Sequence, residues 1–303
     1  MEAFAVMIAK VGYTSSSHKI NLHSKSDNAS PIEEVPTTVE YVYLPAVAVY
    51  NNTMFITGIG KNLNEIWKYN FSSGWIRCGS LVQGRHSHCA EFIDETLYIS
   101  GGSKQSRGRP ILTNHVEAYN AVTGKSVEVG QLKIGSDRSD CVAYKGSIYV
   151  FGGLDKDQKW LNCVQVFNPV EKTCTLLSIP IPSSIAYMRA LSWKDYAILL
   201  GRDTCYVLDF ENMTWHERKQ FKTDSAAHYF VTIVENERIF IIQSYSAISS
   251  FFYGGASQRQ QHKDIEYIKA SSIFNNEAPK WRLCANLTQK FGIYAVPKLP
   301  LIN

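Results

Sequence analysis

Two stretches of the chain, EFIDETLYISGGSKQ (residues 91–105) and AYKGSIYVFGGLDK (143–156), share one layout. An apolar run, a polar turn, a hydrophobic–aromatic pair and two strand-forming residues end on a glycine doublet. A recurring layout implies a recurring structural unit, which constrains the fold more tightly than composition does. Leu97 and Tyr98 stand four and three residues before Gly101, as Ile148 and Tyr149 do before Gly152. Met54-Phe55 before Gly58, Ala197-Ile198 before Gly201 and Ile239-Phe240 before Gln243 keep that spacing where the doublet has decayed. The anchors at 58, 101, 152, 201 and 243 are separated by 43, 51, 49 and 42 residues, and FAVMIAKVG supplies a sixth near Lys10.

A second signal follows each anchor. Tyr69-Asn70 precede Trp75, Tyr119-Asn120 precede Ser126, Phe167-Asn168 precede Cys174, Leu208-Asp209 precede Trp215, and Phe274-Asn275 precede Trp281. Two strands joined by a tight turn fit this pattern, because Asn and Asp bond the local backbone and tolerate turn geometry. Each unit therefore reads as four strands over about 40–50 residues, the period of propeller blades. The glycines read as backbone residues, needed where a strand end takes positive φ or lies close to other backbone, and not as a phosphate loop.

The stretch RHSHCAEFIDETLYISGG followed by VEAYNAVTG resembles a kelch repeat, with Arg85, His88, Tyr98, the doublet and Tyr119 at matching offsets. The doublet is broken in TGIG and absent from LLGR and IIQS, and the Arg position is Ser136, Ile185 and Ala227 in later units. The resemblance implies an all-β fold, a six-bladed kelch-type β-propeller whose ring is closed by the C-terminal strand joining the N-terminal blade. The expected single domain, 1–303, divides into blades at 1–40 plus 290–303, 41–84, 85–135, 136–184, 185–226 and 227–289. The lone strand in FGIYAVPKLPLIN is expected to pair with Phe4–Val11, and the polar stretch Thr14–Thr38 is placed in the first blade.

The chain is 45% hydrophobic with a formal charge of +4 and no clustered Lys/Arg run, so nucleic acid is not an expected partner. No window reaches the ~18 apolar residues of a membrane helix, and MEAFAVMIAKVGY lacks the pattern of a signal peptide. Seven scattered cysteines without a C-x-x-C read as small buried hydrophobes in a reducing compartment. The five N-x-[ST] triplets, at Asn28, Asn51, Asn70, Asn212 and Asn286, then read as unused, and the expected location is the cytoplasm or nucleus.

No catalytic residue, cofactor or metal is expected. His86 and His88 with Cys89 lack a placed third or fourth ligand, and no G-x-S-x-G, H-E-x-x-H or carboxylate constellation occurs. Binding is expected on loops instead. The segments before each first strand supply Tyr43, Arg85, His86, Asp137, Arg138, Tyr187, Arg189, His228 and Tyr229, types that carry interface energy. The intervals from each anchor to the next Tyr/Phe/Leu signal position vary, at 11, 18, 15, 7 and 31 residues, as expected where loops differ on a regular scaffold. Among them, SKQSRGRPILTN brings Lys104, Arg107 and Arg109, suited to an acidic peptide, and the loop 244–264 brings Phe251, Phe252 and Tyr253.

By the same resemblance, the chain is similar to the substrate-binding half of BTB-kelch proteins, adaptors of cullin-3 ubiquitin ligases. The implied partner is a target protein or degron peptide. Cullin-3 would be reached only through a BTB region, and no helical BTB-like or BACK-like segment is read in these residues. An actin-associated kelch scaffold is the alternative, and a kelch-type enzyme a weaker one.

Overall fold

In the computed structural model, the described residues are 4–11, 14–21, 33–35, 42–51, 53–70, 74–104, 110–201, 205–218, 229–235, 238–244, 264–269, 271, 282–286 and 292–295. Strands dominate them, and among them no helix is long and apolar enough to cross a membrane. At the N-terminus lie β1 (Phe4–Val11), β2 (Thr14–Asn21) and β3 (Glu33–Val35). The next sheet holds β4 (Val42–Tyr50), β5 (Thr53–Ile59), β6 (Glu65–Asn70) and β7 (Gly74–Ser80). It is followed by β8 (Cys89–Ile93), β9 (Thr96–Ser100), a two-stranded ribbon of β10 (Ser103–Lys104) and β11 (Ile111–Leu112), then β12 (His115–Asn120) and β13 (Lys125–Gln131).

The strands β14 (Asp140–Tyr144), β15 (Ser147–Phe151), β16 (Val164–Asn168) and β17 (Thr173–Leu176) form the next sheet. After it come β18 (Arg189–Trp193), β19 (Tyr196–Leu200), β20 (Cys205–Asp209) and β21 (Thr214–Glu217). The last strands are β22 (Tyr229–Glu235), β23 (Arg238–Ser244), β24 (Asp264–Lys269), β25 (Arg282–Asn286) and β26 (Gly292–Ala295). Among the described residues there are six four-stranded antiparallel sheets, five of them meanders in chain order. The sixth runs β26-β1-β2-β3, with Ala9 opposite Ile293 and Lys10 opposite Gly292.

The two sequence signals map onto these sheets. Met54, Leu97, Ile148, Ala197 and Ile239 all lie on the second strand of their sheet. The paired signal positions face each other across the third and fourth strands: Tyr69 opposite Trp75, Tyr119 opposite Ser126, Phe167 opposite Cys174, and Leu208 opposite Trp215. The turn between them is closed by its Asx residue. Asn120 Oδ1 accepts from the Val122 and Thr123 amides at 3.1 and 2.7 Å. Asn168 and Asp209 repeat this with Val170 and Glu171, and with Glu211 and Asn212.

The core lies between sheets, so inner strands such as β5, β19 and β20 bury both faces, while the fourth strands β7, β13, β17 and β21 are mostly half-buried or exposed. Alternate residues of β5 serve different layers: Met54 and Ile56 pack with Tyr69 and Trp75, while Phe55 joins Ala90, Leu97, Ile99 and Tyr119 of the next sheet. That is why the second strands read as near-continuous apolar runs. The layers are keyed by aromatic rings. Tyr119 crosses to the preceding sheet, donates to the Cys78 carbonyl at 3.0 Å and covers Gly79. Phe167 covers Gly130 in the same way one sheet later. At both glycines the fourth strand carries an extra residue against the third, so a bulge and a missing side chain together make the notch.

A methyl group at Gly130 would lie 2.7 Å from Phe167 Cε2, and that ring is fully buried. Gly130→Ala is expected to destabilise the fold by roughly 1–3 kcal/mol through overpacking. Chemical denaturation reads this directly; an unchanged midpoint would show that the ring yields without loss.

Candidate functional site

The segments that enter each first strand are tied together by their backbones. Leu44, Ser87, Arg138 and Tyr187 occupy equivalent positions and all take left-handed φ values, 44°, 56°, 53° and 56°. Ser87 N donates to Leu44 O at 2.8 Å, Arg138 N to Ser87 O at 2.8 Å, and Tyr187 N to Arg138 O at 3.1 Å. One amide–carbonyl bond thus links each of these four units to the next. A non-glycine residue in this region costs roughly 1–2 kcal/mol, so the conformation persists because the surrounding bonds fix it.

A second set of backbone bonds holds the glycine doublets beside this relay. Gly102 N donates to Ser136 O and Gly153 N to Ile185 O, both at 2.8 Å. Gly102 and Gly153 have φ of 91° and 99°, and a Cβ would stand 2.6 Å from His86 O and 2.7 Å from Asp137 O respectively. Here both the conformation and the close backbone approach require glycine. The residue after each doublet then pairs with the entry segment of its own unit: His86 with Ser103, and Asp137 with Leu154.

Arg85 is the principal correction to the sequence reading. It was expected on the loop rim, but its side chain is fully buried. Its Nε donates to Gln83 O at 3.1 Å, and Nη1 donates to Gly101 O at 3.2 Å and His115 O at 3.0 Å. Nη2 meets the Glu117 carboxylate, whose oxygens also accept from the Val82 and Gln83 amides at 2.7 and 3.1 Å. The guanidinium stitches the entry segment to its own sheet. A planar fork of donors can satisfy several buried acceptors at once, and this is why a charge survives there.

The exposed part of the rim comes from other residues. Tyr187 is 39% exposed, and the Arg138 guanidinium lies 4.9 Å from its ring centroid. Arg138 Nη1 also reaches Gln158 Oε1 at 3.5 Å and the buried Asp137 carboxylate at 3.8 Å, while Ser103 Oγ donates to the other Asp137 oxygen at 3.2 Å. Burial pushes the Asp137 carboxyl pKa up. Arg189 Nη1 lies 3.8 Å from Asp140 Oδ2, which accepts from the Ala190 amide. His86 Nδ1 meets Ser87 Oγ at 2.9 Å, and burial, then the Arg138 charge, lower its pKa to about 4.

The structure therefore brings His86, Arg138, Tyr187 and Arg189 onto the entry segments of three successive sheets. Tyr43 and Tyr229 lie on strands whose side chains there are not described. Arg107, Arg109, His228, Phe251 and Tyr253 fall outside the described residues. Sequence reasoning missed Gln158, which holds Arg138, and Trp160, which is 55% exposed on the loop after β15. An isolated Trp among charged residues in DKDQKWLN was the available signal for the second. His88 is fully inside, with Nε2 2.7 Å from Thr57 Oγ1. Among the described residues no group of three His, Cys, Asp or Glu side chains could hold a metal, and the six described cysteines are free thiols.

The Kelch motif family profile matches residues 138–180, the span from the relay residue Arg138 through β17. A kelch motif thus occupies one of the repeated four-stranded units. It is 22% identical over 170 residues to Kelch-like protein 25 of Xenopus tropicalis, covering 52% of this chain and 28% of that protein. With Kelch repeat and BTB domain-containing protein 12 of Danio rerio it shares 25% identity over 151 residues, 40% of this chain and 24% of that one. With spermatocyte protein spe-26 of Caenorhabditis elegans the identity is 28% over 149 residues, 46% and 25% of the two chains. The matched stretches span about a quarter of the length of these relatives. The solved structure of YjhT superposes with a TM-score of 0.61 at 17% identity, covering 77% of this chain and 82% of that one, a likeness of fold alone. The chain thus resembles kelch-repeat proteins, among them a kelch-like protein and a kelch repeat and BTB domain-containing protein.

Two outcomes follow from the buried groups. Arg85→Ala leaves the Glu117 carboxylate buried without its cation and is expected to cost about 3–5 kcal/mol. The next unit has Ser136 and Gln165 at the equivalent positions, where the Gln165 amide bonds both Ile134 N and Ile134 O at 2.8 and 3.0 Å. Arg85→Ser combined with Glu117→Gln should therefore recover most of the loss in a denaturant titration; an equal loss would show that the neutral pairing does not transplant.

The second outcome is a dependence on pH. Complete burial, then Arg85 and His86, hold the His88 imidazole well below its usual range. Both histidines are neutral in the fold and gain protons on unfolding below about pH 6.5. Their contribution is full above that value and is lost as pH falls toward 4. Asp137, with its raised pKa, works in the opposite sense and softens the loss. The melting temperature should hold level from about pH 8 to 7 and decline below about 6.5, with His86→Gln/His88→Gln flattening the decline. A profile that is the same in the variant would remove the histidines as its cause.

Proposed function

We propose that the chain is a protein-recognition module built as a single six-bladed propeller, with β26 completing the N-terminal sheet and the entry segments forming one rim of the ring. The pairing of β26 with β1 supports ring closure, as does the succession of first strands β26, β4, β8, β14, β18 and β22, each packed against the next. The blades follow the sheet boundaries given above. Recognition uses the rim of His86, Arg138, Tyr187 and Arg189, with Tyr43, His228 and Tyr229 at equivalent positions, and the loops carrying Arg107, Arg109, Phe251 and Tyr253. The observation that carries this reading is the stacked Arg138–Tyr187 pair, an exposed aromatic and a guanidinium held in place by a backbone relay. Such pairs are the residue types on which interface energy concentrates.

The partner is a target protein or peptide, and the module is the substrate-receptor half of a cullin-3 ligase adaptor. Its similarity to Kelch-like protein 25 and to Kelch repeat and BTB domain-containing protein 12 supports that assignment. The cullin contact belongs to a BTB region of the native product, which acts in the cytoplasm.

Arg138→Ala would strip the buried Asp137 of its cation, so the informative variant pairs Arg138→Gln with Asp137→Asn. That pair and Tyr187→Ala are each expected to weaken binding of a partner recovered by pulldown by about 2 kcal/mol, roughly thirtyfold, in calorimetric titration. The melting temperature should change little. Wild-type affinity in both variants would place recognition elsewhere. A native product that fails to co-precipitate cullin-3 would remove the ligase assignment while leaving the rim intact.

A further inference from the structure

Beside the rim lies an open groove of about 450 Å³ lined by Leu112, Asn114, Lys133, Ile134, Gly135, Asp155 and Lys156. It runs between the loop after β9, the connection from β13 to β14, and the loop after β15. Its walls are fixed by bonds that do not depend on a ligand. The Gln165 side chain clamps both backbone groups of Ile134, and Asn114 Nδ2 donates to Leu132 O at 3.1 Å. Asp155 Oδ1 is turned into its own loop, accepting from the Asp157 and Lys159 amides at 2.8 and 2.9 Å.

The lysines differ from these wall groups. Lys133 and Lys156 are exposed, and among the described residues neither forms an ion pair. Leu112 and Ile134 supply apolar surface in the same groove, and Ile111 beside the groove is 53% exposed. The groove therefore combines two lysines and an aliphatic lining in a preorganised cleft, with one Asp155 oxygen engaged by its own loop. Preorganisation removes an ordering cost that a flexible loop would bear on binding.

We propose that this groove is a second subsite of the recognition face, taking a segment of the target in which an acidic side chain stands next to an aliphatic one. The carboxylate sits between Lys133 and Lys156, and the aliphatic side chain rests on Leu112 and Ile134. The proposal rests on the reading of this face as the binding face, and the test separates the two.

The acetylated, amidated pentapeptide Glu-Leu-Glu-Leu-Glu is titrated into the whole chain, with affinity read from the Gly135 amide resonance. Saturable shifts at Gly135 and the Asn114 side chain are expected. Lys133→Glu/Lys156→Glu should weaken binding about tenfold or more, and the counterpart with Gln in place of Glu should not bind. No shift at Gly135, equal binding of the Gln peptide, or an unchanged affinity in the lysine variant overturns the subsite. If the acidic peptide shifts only the rim around Tyr187, the subsite falls while recognition on this face stands.

Discussion

Everything on the candidate binding rim hangs on one repeated bond, the amide of a left-handed residue donating to the carbonyl of its counterpart one unit earlier. The bond joins Leu44, Ser87, Arg138 and Tyr187 in series. It matters because neighbouring sheets in this fold share no ladder, so side-chain packing alone would leave their inner edges free to slide. A net contribution of about 1 kcal/mol per bond is small, yet each also fixes the direction in which the first strand starts. The glycine doublets close the arrangement from the other side, because only a residue without Cβ can approach the entry segments so nearly.

One position in the repeat shows how the same space is filled in chemically different ways. Where Arg85 faces Glu117, the next unit has Ser136 and Gln165, and the one after has Ile185 and Tyr206. The first is an ion pair, the second a self-sufficient amide, and the third an apolar pair whose phenol meets Ser183 Oγ at 2.7 Å. In each case the third-strand residue is matched to its entry-segment partner, so that no buried charge stands alone. In these two later units the arginine and the glutamate are replaced together. This is what a desolvation penalty of several kcal/mol per unpaired ion would enforce.

Much of this fold can be read in the sequence because its signals are local. The spacing from strand to doublet, and from Tyr69 to Trp75 or Phe167 to Cys174, reports turns and cross-strand partners within one hairpin or meander. The relay cannot be read in this way. Leu, Ser, Arg and Tyr share no propensity for positive φ, and only contact with the preceding unit holds them there. Arg85 was misplaced for a related reason. An arginine in a loop reads as solvent-facing until its acceptors at Gly101, His115 and Glu117, 16 to 32 residues away, are brought together. Trp160 and the lysines of the groove carry no periodicity, so their positions depend on loop paths that sequence spacing does not encode.

The relay also explains how a regular scaffold can hold variable side chains. Because it uses backbone groups, it sets the position of residues 44, 87, 138 and 187 without specifying their side chains, which here are as different as Leu, Ser, Arg and Tyr. The cost of the left-handed conformation is similar for any of these side chains, which range from the buried Ser87 to the exposed Tyr187. Substitution at these points can therefore change the side chains at the rim while the bonds that hold the sheets together remain. Arg138 and Tyr187 also show that adjacent units can be combined: consecutive relay positions are close enough for a guanidinium to rest on the ring of its neighbour. Neighbouring rim positions thus act in pairs across units. The backbone bond that brings those pairs together is the same bond that orients the strands beneath them.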